Sequence, residues 1–194
     1  MITVMETPAS GRECARRYYE ELVGPILAAR RPGLPHAAGR LGSGSDVLGL
    51  DDRSRDHDWG LRLTRLVADD DVAADVHALL DEELPDTFAG LPTRFPTTWL
   101  PAPVHQVDVR GTDTFVTSRL GVHPDDLEEP LGWLALTGQS VLEITAGPVF
   151  CDTGGRLSAT RRTLEWYPHD VWLLRARIGL AAPVAGAPDR RALR

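Results

Sequence analysis

The chain has 194 residues, 42% of them hydrophobic and 25% charged, with a formal net charge of −7 and a pI near 5.3. That suffices for one compact domain with an ordinary core, so no disulfide staple is required. The acidic balance argues against general nucleic-acid binding, which needs a basic face to neutralise phosphates. A nucleotide substrate stays compatible, because metal cations offset both sets of negative charge. Cys14 and Cys151 show no metal or disulfide spacing. Residues 1–10 lack the basic-then-apolar pattern of a secretory signal, and no stretch reaches the ~18 apolar residues of a membrane span. The expectation is a cytoplasmic protein with no membrane contact.

In chain order, residues 11–30 predict an amphipathic helix, with Ala15, Tyr18 or Tyr19, Leu22, Val23, Ile26 and Leu27 at three- and four-residue steps. Pro32 and Pro35 end it. A short strand is expected at 37–41, running into Gly42-Ser43-Gly44-Ser45, where small residues allow a ligand close to the backbone. A second strand is expected from His57 to about Leu63. A helix follows over 69–84, its acidic start suited to the positive end of the helix dipole. The five prolines of 85–103 predict a loop. A strand is expected at 104–109, then helices at about 112–120, 130–143 and 156–180, then a flexible tail over 181–194. This order indicates an α/β or α+β layer fold.

The densest polar chemistry lies in Gly44-Ser45-Asp46-Val47-Leu48-Gly49 and Ser54-Arg55-Asp56-His57-Asp58-Trp59-Gly60. On a strand entered at Asp56, Asp56 and Asp58 share one face and His57 takes the other. Two carboxylates held that close repel unless a cation bridges them. Oxygen ligands suit Mg²⁺, and Asp108, between Val107 and Val109, occupies a strand position fit to complete a two-metal clamp. Arg62 would share the face of the two aspartates and pair with them or with a phosphate. The Gly44-Ser45 turn offers N–H groups and a hydroxyl to a triphosphate. Asp46, Asp51 and Asp52 are expected as surface carboxylates of an acidic loop. Arg55 and Arg119 are phosphate-contact candidates on charge alone, and Trp166, Tyr167 and Trp172 are expected to pack on the core.

Ten residues separate Ser45 from Asp56. That spacing resembles the nucleotidyltransferase superfamily. Taken with Trp166-Tyr167-Pro168-His169-Asp170-Val171-Trp172, the two motifs resemble domain of unknown function family 4037 over about residues 12–174. The resemblance implies a nucleotidyltransferase-like short mixed sheet flanked by helices, in a domain spanning 11–150. Gly44 and Ser45 would hold nucleotide phosphates, Asp56 and Asp58 metal, and Asp108 the same by a looser match. It also implies a helical C-terminal region, of which 151–180 would be a truncated start, with a protein partner taking the place of the rest.

The expected activity is Mg²⁺-dependent transfer of a nucleoside monophosphate from a nucleoside triphosphate to an acceptor hydroxyl whose identity stays open. A non-catalytic nucleotide-binding or regulatory module on the same fold is the alternative. A hydrolase using His57 with both aspartates fits less well, because neighbouring strand residues face opposite ways.

Overall fold

The computed structural model describes residues 10–51, 59–98 and 100–177. It is a mixed α/β fold around a five-stranded sheet flanked by helices, as the composition and element order implied. The chain opens with α1 (Gly11–Tyr18), capped by the Ser10 hydroxyl, which accepts from the Glu13 N–H at 3.2 Å. The expected single helix is then interrupted. Tyr19–Val23 forms a π-turn before α2 (Gly24–Arg30) begins. Pro25 has no N–H and its ring crowds the carbonyl four residues back, so the helix widens and the Gly24 N–H bonds to the Tyr19 carbonyl instead. The widened turn also keeps Cys14, Tyr18, Val23 and Leu27 on one buried face despite the five-residue step from Tyr18 to Val23.

Strand β1 (Ala37–Gly39) and the one-turn helix α3 (Ser45–Leu48) follow. Strand β2 is Arg62–Val67, later than the expected 57–63. Leu61 precedes the strand, and the Arg62 N–H closes a tight turn onto the Gly60 carbonyl at 2.9 Å, which stops the extended run from starting earlier. Helix α4 (Asp70–Glu83) matches expectation. Asp69 caps it through the Val72 N–H at 2.9 Å, and Pro85 follows its end.

The proline-rich stretch expected as loop holds three short strands, β3 (Thr87–Phe88), β4 (Leu91–Pro92) and β5 (Arg94–Phe95). Ala89 (φ +50°) and Gly90 (φ +79°) both adopt left-handed conformations, the signature of a type I′ hairpin turn joining β3 to β4. Strand β6 (Val104–Gly111) leads directly into α5 (Thr112–Leu120).

A 3₁₀ turn, Pro124–Glu128, precedes α6 (Pro130–Ala135) and α7 (Gly138–Thr145), which replace the single helix expected at 130–143. The break falls at Thr137, whose hydroxyl accepts from the Ser140 N–H while the Ser140 hydroxyl accepts from the Thr137 N–H, a reciprocal cap that starts a new helix. Strand β7 (Val149–Asp152) was not expected. The helix expected at 156–180 is divided into α8 (Arg156–Glu165) and α9 (His169–Arg177), because Pro168 turns Tyr167 away from helical geometry. The stretch expected as a flexible tail, 181–194, lies outside the described residues.

The sheet runs β5-β6-β2-β1-β7. β2 and β6 are parallel, with Arg62 opposite Gln106 and Thr64 opposite Asp108. The β1–β2, β1–β7 and β5–β6 pairs are antiparallel. Alternation along β2 sends Leu63 to a core with Cys14, Tyr18, Val76, Leu80 and Val107, and Leu66 to one with Phe115, Trp133, Ile144, Leu157, Leu164 and Val171. Each fully buried aliphatic side chain contributes ~1.5–3 kcal/mol, so two such layers hold the sheet between them. Residues 149–152 close the sheet edge, and α8 and α9 share the second core with α5 to α7. No described helix is long and apolar enough to cross a membrane.

Candidate functional site

The face of β2 that carries Leu66 at one end carries Arg62 and Thr64 at the other, beside Gln106, Asp108 and Arg110 of β6. These side chains form the floor of a cleft of about 420 Å³, walled by Arg40, Leu41 and Ser43 on one side and Arg119 of α5 on another. Asp108 is half-exposed and accepts a 2.8 Å bond from Arg110 Nε, two residues along the same strand. Arg119 lies 3.3 Å from Glu143 and 5.2 Å above the Phe115 ring centroid. Gln106 is held in place by donating to the Phe95 carbonyl at 3.0 Å. An arginine-rich cleft with one carboxylate on its floor suits an anionic ligand accompanied by a cation.

The glycine-serine turn stands at the rim, but Ser43 is the residue that faces the cleft. Gly44 and Ser45 sit behind it, where α3 begins. Gly44 has φ +134°, and a Cβ there would stand 2.6 Å from Asp46 Oδ1 and 3.2 Å from Arg40 Nη2. Asp46, expected at the surface, is buried: Arg40 Nε and Nη2 donate to its two oxygens at 2.6 and 2.8 Å. Asp51 is buried too. It accepts the Gly11 N–H at 2.5 Å and the Trp59 indole N–H at 3.3 Å. Arg12 completes the attachment of α1 by donating to the Asp46 and Val47 carbonyls. These two aspartates anchor the turn because donors from elsewhere in the chain, the Arg40 guanidinium and the Gly11 N–H, meet them in the interior, a role that charge patterning alone does not separate from solvation.

Asp56 and Asp58, with Arg55 and His57, lie outside the described residues. Arg62 opens β2 on the cleft floor, and Asp108 shares that floor. Sequence reasoning missed Arg40, Ser43, Thr64, Gln106 and Arg110. The alternation of β6 beyond Val109, carrying Arg110 onto the face of Asp108, was the signal for the last of these. Of the aromatic trio, Tyr167 is buried with its hydroxyl bonded to the Trp133 carbonyl at 3.2 Å and Trp172 packs partly on the core, whereas Trp166 is 64% exposed.

Among the described residues, His77, Asp81 and His105 place ligand-type atoms within 4.8 Å of one another, a spacing a metal ion requires. His105 Nδ1 accepts the Val107 N–H at 3.3 Å, so in the neutral ring Nε2 carries the hydrogen and points at the His77 carbonyl (3.4 Å) and Asp81 (3.6 Å). Burial, with the neighbouring His77, holds the His105 pKa below its ordinary value. Metal ligation through Nε2 requires that hydrogen to leave while Nδ1 faces another donor. The trio as it stands is a hydrogen-bonded group at the cleft's far end.

The family model described as Domain of unknown function (DUF4037) matches residues 133–182, from within α6 through α9, about a quarter of the chain. The glycine-serine turn and the Asp56–Asp58 segment lie outside the matched stretch. No curated protein and no solved structure matches the chain.

Proposed function

We propose that this chain is a Mg²⁺-dependent nucleotidyltransferase that moves a nucleoside monophosphate from a nucleoside triphosphate to an acceptor hydroxyl. One observation carries the reading. Asp108 and Arg62, on adjacent parallel strands, lie on the floor of the cleft that Ser43 of the glycine-serine turn helps to wall.

Among the described residues the cleft floor offers one carboxylate, Asp108, which fits a magnesium site as a single anionic ligand. Asp56 and Asp58, eight and six residues ahead of Thr64 in the chain, would supply the others. An ion held there would supply positive charge to neutralise the phosphates. The chain's own residues do the rest. Arg62, Arg110 and Arg119 would bind the phosphate oxygens, and Ser43 of the glycine-serine turn would orient the departing pyrophosphate. The acceptor oxygen forms its bond to the α-phosphorus as the bond from that phosphorus to the bridging oxygen breaks. The acceptor proton passes to a carboxylate, for which Asp108 is the placed candidate. Exposed Leu131 on α6 and Leu173 and Leu174 on α9 give apolar surface to a protein partner completing the acceptor side.

The ion pair of Asp108 with Arg110 favours a second reading, a nucleotide-binding module without chemistry, because it occupies the one carboxylate on the floor. Thermal unfolding with Mg²⁺ and each nucleoside triphosphate, alongside pyrophosphate release, separates the two. Binding raises the midpoint by mass action whatever the acceptor. A metal-dependent rise that disappears in Asp56→Asn/Asp58→Asn supports nucleotide binding, and pyrophosphate release adds catalysis. No rise with any triphosphate overturns both.

A further inference from the structure

Strand β2 has a second polar centre on its reverse face. Arg65 points away from Arg62 and Thr64, is 2% exposed, and leaves Nε and Nη1 with no hydrogen-bond partner. Among the described residues no carboxylate pairs with it, and its neighbours Tyr19 and Cys151 give Nε and Nη1 no hydrogen bond. His36 Nδ1 donates to the Leu34 carbonyl at 2.9 Å, which leaves Nε2 of the neutral ring to accept the Tyr19 hydroxyl hydrogen at 2.9 Å. Burial first, and the Arg65 charge as well, hold His36 in that neutral state. Glu20 is paired with Arg16 at 2.6 Å, and Asp152 accepts the Gly155 and Ser158 N–H groups. A guanidinium withdrawn from water with no acceptor is among the costliest arrangements a fold can hold.

Arg65 is among the residues that line a cavity of about 530 Å³ between the π-turn, α2 and the 31–34 turn. Leu27, Ala28, Pro25 and Leu34 supply apolar walls, and Arg31 stands at the rim. The volume lies in the range of small-molecule sites, and apolar wall with a few polar groups, one of them a buried charge, is what such sites show. Arg65 is the one buried guanidinium of this cavity, Arg31 standing exposed at its rim where water screens it, and with the hydroxyl and imidazole beside it already committed it matches a single buried negative charge.

We propose that this cavity binds a small organic monocarboxylate. Its two oxygens engage Arg65, and its apolar body lies against Leu27, Ala28 and Leu34. The site is on the opposite face of the sheet from the nucleotide cleft and does not rest on the reading of that cleft.

The test is calorimetric titration of the full chain at fixed ionic strength with hexanoate and benzoate. Hexanol, benzamide, acetate and inorganic phosphate serve as controls. Saturable one-to-one binding of hexanoate or benzoate is expected, with acetate at least tenfold weaker and the neutral isosteres silent. Arg65→Met, which removes a buried charge without creating a void, should lose the binding and keep the fold. Ala28→Trp, at an exposed position on the rim, should block entry with Arg65 intact, and it decides the matter should Arg65→Met fail to fold. Absence of saturable binding by either carboxylate overturns the proposal. So does binding unchanged in both variants, or phosphate binding as tightly as the organic acids.

Discussion

Arg40 and Asp46 form a two-pronged ion pair, 2.6 and 2.8 Å, in which both residues are less than a tenth exposed. It links the end of β1 to the helix that starts at Ser45, and so sets the position of the glycine-serine turn at the cleft rim. Breaking a buried pair from one side leaves a charge stranded in the interior. Asp46→Leu or Arg40→Met alone should therefore cost about 3–5 kcal/mol in urea unfolding. The double variant should recover most of that loss. Equal losses for single and double variants would show that the pair's geometry, not its charge balance, matters.

Arg161 acts as a cap for a helix other than its own. Its guanidinium donates to the carbonyls of Ile144 (2.8 Å), Ala146 (2.8 Å) and Gly147 (3.1 Å), where α7 runs out of internal partners. Arg161→Met keeps the stem and removes the donors, and should destabilise by roughly 2–3 kcal/mol. A change under about 0.5 kcal/mol would mean that water replaces the guanidinium without loss.

Ala89 is strained by its left-handed backbone, at φ +50° in the hairpin between β3 and β4. Asparagine tolerates that region better than alanine. Ala89→Asn should raise stability by about 0.5–1 kcal/mol, read as a rise of ~1–4 °C in Tm. A lower Tm would contradict the turn assignment.

His105 links stability to acid. Its folded-state pKa lies below the ordinary 6.5, with burial the leading cause. Above that value the folded and unfolded chains carry the same neutral ring. As pH falls below it, the unfolded chain takes up a proton that the folded chain resists, so stability declines with acidification until the folded-state pKa is passed. His36 shifts in the same direction, also led by burial. Unfolding free energies between pH 7.5 and 5 should slope downward, and His105→Asn, which keeps an acceptor for the Val107 N–H, should flatten part of that slope. An unaltered slope would remove His105 as a contributor.

Periodicity located the elements it governs. Helix α4 and strand β6 stood out because their apolar steps, acidic start and alternation are local properties of the chain. What local pattern does not carry is interruption and partnership. Pro25 and Pro168 split helices at points where the apolar stripe continues, and the Thr137–Ser140 cap restarts one at Gly138, with no proline to mark it. β7 contributes four residues to the sheet only because β1 offers an unpaired edge. Asp46 and Asp51 look like solvated charges until Arg40 and the Gly11 N–H are brought to them across 6 and 40 residues. Arg65 falls inside an apolar run, and nothing in its neighbours signals that its head would be enclosed.

The place of β1 in the sheet has a consequence in time. Its three residues are flanked by β2 on one side and by β7, at residues 149–152, on the other. A chain emerging at ~5–20 residues per second reaches Val149 only several seconds after Gly39. Through that interval β1 can pair with β2 along one edge, while its other edge waits bare, a template for any extended strand nearby. A growing chain would be most open to wrong association in that window, and the arrival of β7 would end it.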